Sequence, residues 1–198
     1  SMVLSNVLLT CYFFKKHPVI IPSKEHIDVS KVKELASLGE KFFIIQIAVL
    51  VIFTTDNIII TQVLGPKEVT PYSVVRKLFS VITMGHGILL TPLWSAYTEA
   101  YAKGDTNWIR ETLKKLNLLM IPIIIAVMLL IIFARNIINI WVGPEVKFTH
   151  LLIVFMGIYT IISVWSNIYA YFVNGIGKIK PQVYSATVGM LINIPLST

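Results

Sequence analysis

Seven residues in the stretch 72–100 fall on one helical face. With Arg76 at zero and 100° per residue, Thr83 lies at about −20° and Trp94 at about 0°. Gly87 follows at about 20°, Ser80 and Thr98 at about 40°, and Thr91 at about 60°. A guanidinium heads this face and a ladder of hydroxyls continues it. Arginine keeps its charge in a low dielectric and grips phosphate oxygens as a fork. Hydroxyls both donate and accept, which suits a polyhydroxylated cargo. Arg76, Ser80, Thr83 and Thr91 are therefore candidate substrate-binding residues. A second stripe runs along 151–174 through Gly157, Thr160, Ser163, Asn167, Tyr171 and Asn174, at steps of three and four. Asn167 is its candidate substrate contact. A third, in 42–63, gathers Gln46, Thr54, Asp56, Asn57 and Thr61 within an arc of about 160°. Asp56 and Asn57 form a candidate ion-coupling or structural pair, and Asp56 could also tie to Arg76.

Each feature has a plainer reading. Small and hydroxyl residues also pack helices together in lipid. An ionised group inside a span is costlier, and by default marks a pathway or a partner. His86 is mid-span but about 80° off the stripe. That favours a packed, neutral histidine over a proton relay.

The elements that must carry these stripes are membrane helices. The chain has 198 residues, of which 56% are hydrophobic and 14% charged, against about 25% charged in a soluble domain. Mean hydropathy is +0.77. Such a chain has too little polar surface to cover a water-soluble globule, so an all-α integral membrane bundle is expected. Apolar segments lie at 2–14, 42–63, 72–100, 118–134, 151–174 and 183–198, giving about six transmembrane segments. The short first and last ones suggest a piece of a longer polytopic protein. The 118–134 segment has no polar side chain and should face lipid. Pro92 and Pro122 sit within spans, where neighbours can re-satisfy the freed carbonyls.

Net charge is +7, and the basic residues sit in short connections between spans. Nucleic acid is not an expected partner. Loops 15–41, 101–117 and 175–182 hold twelve lysines and arginines. The opposite side holds three outside helices, which places the first set in the cytoplasm. Leu64-Gly65-Pro66-Lys67 and Trp141-Val142-Gly143-Pro144 should close outer loops, and Gly175-Ile176-Gly177-Lys178 an inner turn. A short surface helix is expected at 31–41, started by Asp28-Val29-Ser30. The lone cysteine, Cys11, precludes an intrachain disulfide. Four histidines form no HxxxH pair, and no GxGxxG, phosphate loop or GxSxG is present. No enzyme activity, metal or cofactor is expected.

The run Gly39-Glu40-Lys41-Phe42-Phe43 into Thr55-Asp56-Asn57-Ile58 resembles a helix of bacterial polysaccharide repeat-unit flippases, the O-antigen and exopolysaccharide translocases. The resemblance continues through Leu64-Gly65-Pro66-Lys67-Glu68-Val69-Thr70-Pro71-Tyr72. It is strongest at Leu90-Thr91-Pro92-Leu93-Trp94-Ser95-Ala96-Tyr97-Thr98-Glu99-Ala100-Tyr101-Ala102-Lys103-Gly104-Asp105. Ile140-Trp141-Val142-Gly143 and Asn174-Gly175-Ile176-Gly177-Lys178 fit later helices. That family groups with the multidrug and toxic-compound extrusion transporters, with twelve to fourteen helices in two bundles around a cavity. The resemblance implies that 1–14 ends the first half, 15–41 is the cytoplasmic loop between halves, and 42–198 is most of the second half. It also implies translocation of an undecaprenyl-pyrophosphate-linked oligosaccharide across the bacterial cytoplasmic membrane, driven by an ion gradient. Partners would be the lipid-linked oligosaccharide, membrane lipid, and polysaccharide polymerase or chain-length machinery. The alternatives are a cation-coupled multidrug exporter, with Asp56 binding the ion, and a non-transporting membrane scaffold.

The charge bias makes a topological prediction. In a variant lacking Cys11, a cysteine at Lys67 is expected to react with an impermeant thiol reagent added outside intact cells. Labelling only from the cytoplasmic side would reverse the orientation.

Overall fold

The computed structural model describes residues 2–18 and 28–196. Among them, all regular structure is helical: α1 (Met2–Lys16), α2 (Val29–Ile59), α3 (Pro66–Ala102), α4 (Thr106–Trp141), α5 (His150–Gly175) and α6 (Lys180–Leu196). Four stretches are long and apolar enough to cross a membrane: Lys31–Val63, Pro66–Ala102, Thr106–Trp141 and His150–Gly175. The protein is thus an all-α polytopic membrane protein. At 15 and 17 residues, α1 and α6 are shorter. The chain divides into two compact units, Ser1–Glu40 and Lys41–Thr198. In the first, Val3, Leu4, Leu8 and Tyr12 of α1 are exposed.

Two boundaries differ from the sequence reading. The surface helix expected at 31–41 and the span expected at 42–63 are one continuous helix. Gly39 is the only weak helix former at their junction, and its cost of about 1 kcal/mol does not break a helix of 31 residues. The helix α3 begins at Pro66, ahead of the expected 72. A π-helical turn, Ile60–Leu64, ends the preceding rod, and Gly65 reverses the chain at φ 95°. Proline at the first helical position lacks only an N–H that would be orphaned anyway. The connection between these two helical stretches is therefore almost nothing but Gly65.

The other turns follow local chemistry. Asp105 caps α4, its carboxylate accepting from Trp108 N at 2.9 Å. After α5, Gly177 takes φ 71° and Lys178 N donates to Val173 O at 3.1 Å, closing the tight turn expected there.

Three helices, α3, α4 and α5, build the core. Val75, Phe79, His86, Leu90 and Tyr97 form a buried stripe on α3 at helical spacing. Val75 and Phe79 cluster with Val127 of α4 and Ile153 of α5, Leu90 with Leu116 and Met120 of α4 and Val164 and Ile168 of α5, and Tyr97 with Ile109 of α4. The apolar flank of α3 opposite the hydroxyl ladder is thus divided between packed and exposed residues. Leu78 and Phe79 are buried, and Ile82 and Leu93 pack partly, while Val81 and Leu89 stay exposed. Lipid tails are as apolar as leucine, so hydrophobicity does not distinguish a packed flank from a lipid flank. His86 is 3% exposed on the buried stripe, and neither ring nitrogen has a hydrogen-bond partner among the described residues. Along α4, Leu118, Ile121, Ile125 and Ile132 point outward, which fits the lipid-facing expectation for 118–134.

The α3–α5 contact is closest at one end. Thr98 Oγ1 donates to Gly175 O at 2.6 Å, a bond between the two helices. A Cβ on Gly175 would lie 2.7 Å from Tyr97 Cβ and 2.9 Å from Trp94 O. At Gly157 a Cβ would meet Ile131 Cδ1 at 2.6 Å, the tip of a flexible side chain. Gly175→Ala is therefore expected to destabilise the bundle by about 1–3 kcal/mol, and more than Gly157→Ala does. Thermal unfolding in detergent reads the difference; equal melting of the two variants would contradict the close approach.

Candidate functional site

Within the larger unit, α3 and α5 together line a cavity of about 530 Å³. Arg76, Phe79, Ser80 and Thr83 of α3 form one wall. The other is Met156, Tyr159, Thr160, Ile162, Ser163, Ser166 and Asn167 of α5, with Val49 of α2 alongside. Two of the stripes read from sequence thus converge on one space, bringing together four of the five candidate substrate contacts: Arg76, Ser80, Thr83 and Asn167.

Hydrogen bonding sets what this surface offers. Ser80 Oγ donates to Lys77 O at 2.7 Å, Thr83 Oγ1 to Ser80 O at 2.9 Å, and Thr160 Oγ1 to Met156 O at 2.8 Å. Each of these hydroxyls spends its one proton on its own helix, so the two accessible ones, on Ser80 and Thr83, present lone pairs to a ligand, while Thr160 is buried. Donor capacity comes from the Arg76 guanidinium, the Asn167 amide and the hydroxyls of Tyr159, Ser163 and Ser166. Among the described residues, no carboxylate lines the cavity. Arg76 also borders a second cavity of about 260 Å³, otherwise formed by Ile52, Tyr72, Leu152, Phe155, Met156 and Tyr159. The guanidinium stands where a polar chamber meets a largely apolar one.

The fifth candidate contact, Thr91, is not in this cavity. It is exposed, and its Oγ1 donates to Gly87 O at 2.8 Å, just before Pro92. Trp94 belongs to an aromatic cluster, stacked on Phe42 at 5.8 Å and edge-on to Tyr171 at 6.0 Å. Asn57 does not line the cavity; its carbonyl accepts from Thr61 Oγ1 at 2.7 Å. The Asp56 side chain lies outside the described residues, and with it both the coupling role and the tie to Arg76.

The sequence reading missed Tyr159 and Ser166. Gly157 and Thr160, buried toward the core, turn the α5 stripe partly inward. The arc facing the cavity is rotated by about a sixth of a turn from it. Ser163, Ser166 and Asn167, at steps of three and one, were the available signal.

Comparison with known proteins adds the following. The sequence model of the MatE family matches residues 42–198. A Yersinia pseudotuberculosis protein named for O-antigen export is 28% identical over 145 residues, covering 72% of this chain and 33% of that relative. A Salmonella typhimurium protein named for O-antigen transport is 23% identical over 161 residues, covering 78% of this chain and 37% of the relative. The chain spans about a third of the length of these relatives. No solved structure matches.

The cavity makes an accessibility prediction. In a background lacking Cys11, single cysteines at Ser80, Thr83, Ser163 and Asn167 are expected to react with a small water-soluble thiol reagent. A cysteine at Ile132, on the outward apolar face, is expected not to. Protection of all four cavity positions would mean that the stripes are packed rather than hydrated.

Proposed function

The chain belongs to the MatE family, and on that premise we propose that it serves translocation of undecaprenyl-pyrophosphate-linked oligosaccharide repeat units across the bacterial cytoplasmic membrane. It is a multi-pass membrane protein of a transporter family, not of an enzyme family. The observation that carries the finer reading is one guanidinium among hydroxyls and an amide, beside an apolar chamber. The names of the Yersinia and Salmonella relatives support the oligosaccharide class.

A polyprenyl tail needs no help in lipid, but a pyrophosphate and its sugars do. Arg76 would bind phosphate oxygens through charge-assisted bonds, which are roughly twice as strong as neutral ones. Ser80 and Thr83 would accept hydrogen bonds from sugar hydroxyls, and Asn167 would donate or accept. The tail would lie in the apolar chamber or the surrounding lipid. An ion gradient would drive the cycle. In this reading residues 1–14 end a first helical half, 15–41 connect the halves in the cytoplasm, and 42–198 belong to a second half. Polymerase or chain-length machinery would receive the exported unit.

Arg76→Ala in the intact protein is expected to cut export at least about tenfold, the loss of one charged hydrogen-bond set, at unchanged membrane levels. Lysine should restore it only in part, because it cannot form the bidentate fork. Surface polysaccharide, quantified against immunoblotted protein, reads both. Normal export by Arg76→Ala would refute the cargo role. Reduced protein levels, rescued by exchanging Asp56→Arg with Arg76→Asp, would make Arg76 a structural tie instead.

A further inference from the structure

On the outward side of α4, away from the polar cavity, a hollow of about 570 Å³ is lined by Glu111, Lys114, Lys115, Asn117, Leu118 and Ile121. Both lysines are exposed, and neither forms an ion pair among the described residues. Asn117 is held from both sides of its amide: its Oδ1 accepts from Trp165 Nε1 and from Tyr169 OH, each at 3.2 Å, and its Nδ2 donates to Leu113 O at 2.8 Å. These bonds fix two half-exposed aromatic rings of α5, edge-on to each other at 5.4 Å, beside the lysines. Tryptophan and tyrosine so placed mark a membrane–water interface.

Below the hollow the outward face of α4 is apolar. From Lys115 to the next charged residue, Arg135, the helix rises about 30 Å at 1.5 Å per residue. That matches the roughly 30 Å of bilayer hydrocarbon. Lys114 and Lys115 therefore stand at headgroup depth, and Leu118 and Ile121 begin the acyl-chain zone. Cations above a lipid-length apolar track complement one class of molecule, an amphiphile with an anionic head.

We propose that this groove is a binding site for an anionic phospholipid, its headgroup phosphate on Lys114 and Lys115 and its acyl chains along the apolar face of α4. The site is independent of cargo binding in the polar cavity. Each basic residue at an anionic surface is worth about fivefold in affinity.

The test is native mass spectrometry of the intact protein in neutral detergent, titrated with phosphatidylglycerol or phosphatidylcholine of equal chain length. Phosphatidylglycerol is expected to bind at least fivefold more tightly. The Lys114→Ala, Lys115→Ala double variant should lose that preference, while Lys147→Ala, beyond the other end of α4, should keep it. Equal binding of the two lipids by the unmodified protein would overturn the proposal. So would a preference that survives the double variant, or one that falls equally with Lys147→Ala.

Discussion

A guanidinium inside a membrane span cannot shed its charge, and hydrocarbon cannot solvate it. The rest of the bundle arranges itself around that constraint at Arg76. The helix that carries it resolves into three sectors. One is a buried stripe, from Val75 through Phe79 and Leu90 to Tyr97, that locks α3 onto α4 and α5. Another, including Val81 and Leu89, is exposed and apolar. The third joins Arg76 to Ser80 and Thr83 and opens on a chamber whose far wall, on α5, is also polar. Charge, hydroxyls and amide share one space because each would be costly anywhere else in the span.

The chamber depends on how closely its two walls meet elsewhere. At Gly175 the backbone of α5 touches Trp94 and Tyr97, and Thr98 bonds across to the glycine carbonyl. The absent side chain and the interhelical bond hold α3 and α5 together at that end, while Arg76 and Asn167 line the chamber farther along the same two helices. Pro92, between these two regions, lacks the N–H that would bind the Ile88 carbonyl. Thr91, with its hydroxyl turned onto its own backbone, belongs to this structural stretch of α3 rather than to the chamber.

Much of this was legible in the residues. The four long spans follow from hydropathy, the Asp105 cap and the Gly177 turn from local chemistry, and the Arg76–Ser80–Thr83 wall from helical spacing. Less legible was which apolar flank of α3 packs, since lipid and a neighbouring helix select the same side chains. The α5 wall was read about a sixth of a turn off, because Gly157 and Thr160 look polar or small in sequence yet are buried in the structure. The early start of α3 was hidden by Pro66 and Pro71. Both signal loops in water-soluble sequence, but here one sits at the first helical position and the other costs a single bond near the helix start.

The central claim is that a charged, sugar-bearing lipid crosses by way of this polar chamber. Its most direct test is reconstitution of the intact protein into liposomes carrying undecaprenyl-pyrophosphate-linked oligosaccharide, with crossing read by an impermeant lectin. The account predicts ion-gradient-dependent crossing above that of protein-free liposomes, competed by excess pyrophosphate-linked lipid but not by uncharged polyprenol. Crossing no faster than in protein-free liposomes, or equal competition by the uncharged lipid, would contradict it.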